Sequence, residues 1–258
     1  MDNEFISAVI EANEVIAGRV ERRYAASYFE RGAVGAGGDS TSGLDLMAEE
    51  VFVEYLARFG RIESEESGSI GEGEATIVID PIDGSSNALS LFPYYGTSVA
   101  RIGADGILES AVVCNLAGRE IFFREAGGAL FHGRLFERKY APPEVSPQSE
   151  IGLFEKAYAH PDIVQKLSCI GMKFRAPGAV ALSLAYARTV SYLLYVGPFR
   201  IYDFAAGLAL CEDLEVLVEE DYVIVSRDKE IAARLESLVK ESLAEREKSL
   251  SGTPQQCR

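Results

Sequence analysis

Two aspartates three residues apart, Asp80 and Asp83 in Asp80-Pro81-Ile82-Asp83-Gly84-Ser85, are the side chains whose type and spacing point most directly to chemistry. Buried together and ionised they would repel one another, so a site built around them calls for a cation. Carboxylate and carbonyl oxygens suit a hard divalent ion such as Mg²⁺. Gly84 permits a close backbone approach, and the N–H groups of a helix opening among Ser85, Ser86 and Asn87 would face an anion. A metal beside an anion site is what phosphate chemistry needs. Taken alone, the hexapeptide is equally satisfied by an Asp-Pro turn whose aspartates only cap backbone groups.

The elements around this turn must hold it. Residues 75–79 are apolar and rich in β-branched side chains, which predicts a strand buried on both faces. Pro81 lacks an N–H and is expected to end that strand, leaving Asp80 at its carboxyl end. Residues 61–63 predict a short strand with Glu65 just beyond it, placed to share a cation with Asp80; Glu63, Glu65 and Glu66 also fit a solvated acidic run. Residues 4–29 carry Phe5, Ile6, Val9, Ile10, Ile16 and Val20 at helical spacing and predict one long amphipathic helix. The Gly-rich stretch 32–38 breaks it and leads through Asp39 to a second helix over 44–59, where Asp45 could be a first-turn acid favoured by the helix dipole.

Downstream, residues 96–102 and 107–116 predict strands joined around Asp105-Gly106, with a third over 119–124. Pro142, Pro143 and Pro147 mark 141–147 as the linker between an N-terminal lobe (1–141) and a C-terminal lobe (148–248). The second lobe alternates: strand 151–158, helix 161–169, strand 172–175, helix 179–188, strand 190–196, a helix opening near Asp203, two short strands about 219–221, and a closing helix over 229–247. Residues 249–258 are expected to be a flexible tail. As a plain N-cap Asp203 would need no metal.

Composition excludes several classes. With 258 residues, 48% hydrophobic, the chain can bury a large core. A formal charge of -15 repels nucleic acid and anionic membranes, and it repels phosphate substrates unless metal ions intervene. Cys114, Cys169, Cys211 and Cys257 are widely spaced without zinc-like pairing and read as reduced, the first three in apolar, buried segments. No apolar run reaches membrane-spanning length and no leader pattern opens the chain, so a cytoplasmic protein is expected. His132 and His160 lack motif context and are expected at the surface.

Three motifs occur in a familiar order: Glu65-Glu66-Ser67, Asp80 to Ser85, and Tyr202-Asp203-Phe204-Ala205-Ala206-Gly207. The chain resembles the inositol monophosphatase family from about its first helix to Gly207. It resembles most the archaeal-type members that also hydrolyse fructose 1,6-bisphosphate, through residues 65–73 and Arg200-Ile201-Tyr202-Asp203. The resemblance implies an α/β (α+β) layered sandwich of the sugar phosphatase type, with an antiparallel-rich N-terminal sheet and a mixed C-terminal sheet between helices. It implies two or three Mg²⁺, or Mn²⁺, held by Glu65, Asp80, Asp83, Asp203 and the Ile82 carbonyl. Gly84 and Ser85 would bind the phosphate, and Ser85 would act with Glu65 or Asp45 on the attacking water. Relatives are commonly dimers, so a homodimer is expected.

The resemblance has gaps that bear on substrate. The family's Gly-Ser/Thr-Ala-Ala stretch is here Gly178-Ala179-Val180-Ala181, so a sugar contact at Gly178 and Ala179 must rest on backbone groups. A glutamate seven residues before the last metal aspartate receives inositol hydroxyls in relatives; that position is Val196. Arg200 suits the second phosphate of fructose 1,6-bisphosphate, or it simply pairs with an acid. After Gly207 the usual Glu-x-Gly-Gly segment is missing. The expected activity is therefore Mg²⁺-dependent hydrolysis of a small sugar or polyol phosphate. The alternatives are a 3'-phosphoadenosine 5'-phosphate nucleotidase and a non-catalytic regulatory member of the fold.

Overall fold

In the computed structural model the described residues are 3–21, 25–38 and 40–251, the last three as backbone alone. Helix α1 (Glu4–Glu21) buries Phe5, Ile6, Val9, Ile10 and Ile16, and α2 (Gly43–Leu56) buries Leu44, Ala48, Val51 and Phe52. The first helix is shorter than its periodicity suggests: Ala25 is extended and residues 26–29 form a separate 3-10 turn. A small antiparallel pair, β1 (Arg31–Val34) and β2 (Ser40–Ser42), leads into α2.

Eight strands form the first sheet. They are β3 (Arg61–Ser64), β4 (Gly68–Ile70), β5 (Thr76–Asp83), β6 (Gly96–Ile102), β7 (Leu108–Asn115), β8 (Glu120–Glu125), β9 (Phe131–Arg134) and β10 (Tyr140–Ala141). Their order is β10-β9-β8-β7-β6-β5-β3-β4, antiparallel except for the parallel pair β3 and β5.

Pro81 does not end the central strand. Asp80 faces Ser98 and Asp83 faces Gly96, so β5 carries one residue more than β6 across this interval. Pro81 falls inside the resulting bulge, where a missing N–H breaks no ladder bond. The strand therefore continues to Asp83, and α3 (Ser85–Leu89) starts directly after Gly84.

The two faces of this sheet are covered by different helices. Ile77, Ile79, Val99 and Val112 pack with α1 and α2. On the other side Val78, Ala100, Ala111, Val113 and Phe122 pack with α5 (Val180–Ala185) and α6 (Ile201–Leu210). Burial on both faces explains the unbroken apolar run of β5.

The chain divides into two compact units: Met1–Val145 with Pro177–Tyr186 and Phe199–Glu212, and Ser146–Ala176 with Ala187–Pro198 and Asp213–Arg258. The first stretch stops inside the proline-rich linker. Later segments return to it because α5 and α6 bury their apolar faces on its sheet. Asp203 thereby sits in the first unit, whereas a simple split of the sequence puts it in the second.

The second unit holds β11 (Gly152–Glu155), β12 (Phe174–Arg175), β13 (Leu193–Val196), β14 (Glu215–Glu219) and β15 (Tyr222–Ser226), in the order β12-β11-β13-β15-β14. The first three are parallel and the rest antiparallel, a mixed sheet. Helices α4 (Pro161–Cys169) and α7 (Lys229–Ser251) pack on it through Ile163, Leu167, Leu235 and Val239. Residues 252–258 of the expected tail, with Cys257, lie outside the described residues, as does Asp39.

His160 is buried, contrary to a surface placement. Its Nε2 donates to the Val196 carbonyl at 2.9 Å, and its Nδ1 accepts from Arg246, which also pairs with Asp162. Burial and the adjacent guanidinium hold its pKa below the usual histidine value. His132 is half-buried, stacked on Phe122 and hydrogen-bonded to Glu120. Cys169 is exposed, while Cys114 and Cys211 are buried. No helix among the described residues is long and apolar enough to cross a membrane.

Helices α5 and α6 pack closely at Gly207, where a Cβ would lie 2.5 Å from Leu184 Cδ1 and 2.7 Å from its Cβ. Gly207→Ala is expected to destabilise the protein by about 1–3 kcal/mol, the usual size of an overpacking penalty. Urea unfolding measures this, and an unchanged midpoint would show that the helices separate freely.

Candidate active site

Four elements of the first unit bring acids together. Glu65 follows β3, Asp80 and Asp83 flank the β5 bulge, Asp203 lies in the first turn of α6, and Asp45 lies in the first turn of α2. Glu65, Asp80 and Asp203 each offer a carboxylate oxygen, and these oxygens all lie within 4.8 Å of one another. All five side chains are buried; Asp80 is 3% exposed.

The local backbone fixes each acid. The Glu65 N–H donates to the Ile79 carbonyl at 3.1 Å, which continues the parallel β3–β5 pairing past the strand end. Glu49 on α2 clamps the same turn: its carboxylate accepts from the hydroxyls of Ser64 and Ser67 and from the Ser67 N–H. Glu66 is hydrogen-bonded to the Thr41 hydroxyl. Glu65 and Glu66 are therefore separated in role by the turn.

Asp83 stands beside the three-carboxylate group. One of its oxygens accepts from the Leu182 N–H at 2.7 Å, in the first turn of α5. Ile82 is buried in the bulge between the two aspartates. Gly84 has φ +82, and a Cβ there would meet Ala179 Cβ at 2.9 Å and the Gly178 oxygen at 3.1 Å. A left-handed glycine is what allows the turn after β5 to lie against the segment before α5. Asn87 fastens that approach by donating to the carbonyls of Tyr94 and Pro177. Ser85 is half-buried and opens α3. Ala179 is buried, backbone included, so in the 178–179 step only Gly178 is exposed.

Electrostatics at Asp80 are unfavourable. Burial raises its pKa well above the carboxylate range, and Glu65, Asp83, Asp203 and Asp45 raise it further. Burial also raises the pKa of Asp45, against hydrogen bonds from Ser42 that lower it. In a reciprocal capping box Asp45 Oδ2 accepts from the Ser42 N–H at 2.7 Å and Ser42 Oγ accepts from the Asp45 N–H. Asp45 Oδ1 is buried with no hydrogen-bond partner among the described residues.

Arg200 does not stand free for a substrate. Its guanidinium contacts Glu65 Oε1 at 2.8 Å and Asp203 Oδ2 at 3.1 Å, and it donates to the Gly37 carbonyl at 2.6 Å. Of the two readings open at the sequence level, pairing with acids describes this arrangement, and the acids are two of the cluster's own.

These residues fit a hard divalent cation. The donors are all oxygens, their mutual repulsion at Asp80 is relieved by positive charge, and Asp45 retains a buried oxygen with no hydrogen-bond partner among the described residues. Glu49 is a contributor that motif reading passed over. The signal was present: Asp45 and Glu49 stand four apart on the face of α2 that also carries Leu44, Ala48 and Phe52.

The inositol monophosphatase family profile matches residues 1–242. The chain belongs to this family. It is similar to the fructose-1,6-bisphosphatase of Pyrococcus furiosus, 27% identical over 71% of each chain. It is also similar to the Nus factor SuhB of Escherichia coli K12, 31% identical over 88% of this chain and 84% of that one. Among solved structures, SuhB of Bartonella henselae superposes with a TM-score of 0.76 at 22% identity, covering 91% of this chain and 98% of that one. The layered sandwich is thus the fold of a family to which the chain belongs.

The raised pKa of Asp80 predicts a pH-dependent cost in metal-free protein. A carboxyl whose folded pKa exceeds its unfolded value, about 3.9, contributes stability that is complete below that value and lost as pH rises through the folded pKa. In EDTA at pH 8, Asp80→Asn is expected to melt above wild type by about 2–4 °C, which is what ~1 kcal/mol amounts to in a chain of this size. The gain should shrink as pH falls toward 5. A variant that melts at or below wild type at pH 8 would show that the repulsion is compensated.

Proposed function

We propose that this protein is a Mg²⁺-dependent phosphomonoesterase acting on small sugar or polyol phosphates, with inositol monophosphate and fructose 1,6-bisphosphate as the candidate substrates. The observation that carries this is the convergence of Glu65, Asp80 and Asp203 within 4.8 Å, beside a glycine turn that opens a helix. Family membership supplies the phosphatase chemistry for which such a group is suited.

In this reading Glu65, Asp80, Asp83, Asp203 and the Ile82 carbonyl hold two or three Mg²⁺, with Mn²⁺ as a substitute. The ions supply Lewis-acid charge for the phosphoryl oxygens and make water more acidic. The N–H groups of Gly84 and Ser85 bind phosphate oxygens and orient the ester. The Ser85 hydroxyl positions the water, and Asp45 or Glu65 takes its proton. Asp45 Oδ1 is suited to that task because it is buried, has no hydrogen-bond partner among the described residues and belongs to a carboxyl of raised pKa. The backbone of Gly178 and Ala179 meets the sugar, and Arg200 serves a second phosphate once the acids it holds have another cation. The same reading keeps the homodimer that the family resemblance implies and a cytoplasmic location.

A second reading is favoured by the relatives' names. Nus factor SuhB is a 31% identical relative, and a Methanococcus maripaludis protein named bifunctional NADP phosphatase/NAD kinase is 29% identical over 72% of this chain and 38% of its own. A regulatory role and nucleotide phosphatase activity therefore stand as rivals.

A phosphate-release screen separates them. Inositol 1-phosphate and fructose 1,6-bisphosphate are expected to be hydrolysed with Mg²⁺ and not in EDTA. Asp80→Asn and Asp203→Asn should each lower turnover at least ~100-fold while folding normally, since loss of a charged ligand removes several kcal/mol of transition-state stabilisation. Hydrolysis confined to 3'-phosphoadenosine 5'-phosphate or NADP would favour the nucleotide reading. No release from any of the four would favour the regulatory one.

A further inference from the structure

We infer that Arg200 is a tethered cation that competes with divalent ions for this site, an inference that rests on the metal-site reading above. Its guanidinium lies on Glu65 Oε1 and Asp203 Oδ2, oxygens of two of the three carboxylates that converge. A guanidinium hydrogen-bonded to a carboxylate oxygen occupies one of its lone pairs and cancels part of its negative potential. A small divalent ion needs both, at short range and in near-ideal geometry. The two cations also repel one another, so these carboxylates bind Mg²⁺ more weakly while Arg200 holds them.

The placement of Arg200 is not explained by its helix. It occupies the N-cap position of α6, extended at φ -108 and ψ 148, and its side chain makes no capping bond. A positive charge at a helix N-terminus opposes the macrodipole. The carboxylates therefore hold the guanidinium where the helix alone would disfavour it. Its side chain keeps 32% exposure, which leaves solvent on one side for it to swing into when the acids are taken by a metal.

The contact extends to the glycine-rich loop. Ala36 and Gly37 donate their N–H groups to the carbonyls of Glu66 and Glu65, and the Gly37 carbonyl accepts from Arg200 at 2.6 Å. Arg200 thus ties the loop to both acids. Metal binding that releases the guanidinium removes that tie. Because coupling is reciprocal, whatever Arg200 contributes to the metal-free site it subtracts from metal affinity.

Calorimetric titration of EDTA-treated protein with MnCl₂ tests this, using wild type, Arg200→Gln and Arg200→Lys. Arg200→Gln is expected to bind Mn²⁺ at least ~5-fold more tightly, the lower end of ordinary coupling, and to melt lower without metal. Arg200→Lys should fall between the two. A second readout needs no variant: phenylglyoxal modification of Arg200 in wild type, followed by mass spectrometry, should be slow in EDTA and faster with MgCl₂. Equal or weaker Mn²⁺ binding by Arg200→Gln, or modification that Mg²⁺ does not accelerate, would overturn the inference while leaving the metal site intact. A wild type that takes up neither ion would overturn both.

Discussion

Repulsion among buried carboxylates governs the first unit of this protein. Asp80 sits in the middle of it, 3% exposed, with Glu65, Asp83, Asp203 and Asp45 all raising its pKa. Burying one ion without a partner is already unfavourable, and burying several of one sign is worse. A fold that keeps them there must over-determine their positions. The determinants are visible: a parallel strand pair at Glu65, a bulge at Asp80 and Asp83, a capping box at Asp45 and the start of α6 at Asp203. Repulsion of this kind is what a positive charge placed among these oxygens would relieve.

The bulge explains why one strand can supply two acids. In regular pleating, residues three apart point to opposite faces of a sheet. The extra residue in β5 changes the relation of Asp80 and Asp83, and both become members of one charged neighbourhood. Pro81 is compatible with this because its position demands no donor. Asp83 also accepts the Leu182 N–H and so fixes the start of α5, which links the acidic turn to the segment carrying Gly178 and Ala179.

Much of this was legible in the sequence, for physical reasons that differ by element. The apolar run of β5 and the 3.6-residue periodicity of α1 and α2 announce buried elements directly. Family motifs point to Glu65, Asp80, Asp83 and Asp203, and the structure places all four in one neighbourhood. What the sequence concealed depended on tertiary pairing. Pro81 looked like a strand end because bulges are defined by the partner strand, not by the residue. The return of α5 and α6 to the first unit is set by which sheet face needs covering. His160 looked like a surface residue because its partners, Val196 and Arg246, are 36 and 86 residues away. For Glu49 the helix shows only that an acid lies on the buried face with Asp45; its partners Ser64 and Ser67 are 15 and 18 residues away.

Charges at the two ends of α6 separate what is structural from what is not. At its carboxyl end the buried Arg124 donates to the carbonyls of Ala209 and Leu210, a cation where the dipole is negative. At its amino end Asp203 is an anion where the dipole is positive. Both follow the rule, and both anchor the helix. Arg200, one position before the first turn, has the opposite sign and is held by acids rather than by the helix. A residue that violates the local preference while its neighbours obey it is sustained by something outside the helix. Here that something is the cluster, two of whose carboxylates, Glu65 and Asp203, hold the guanidinium.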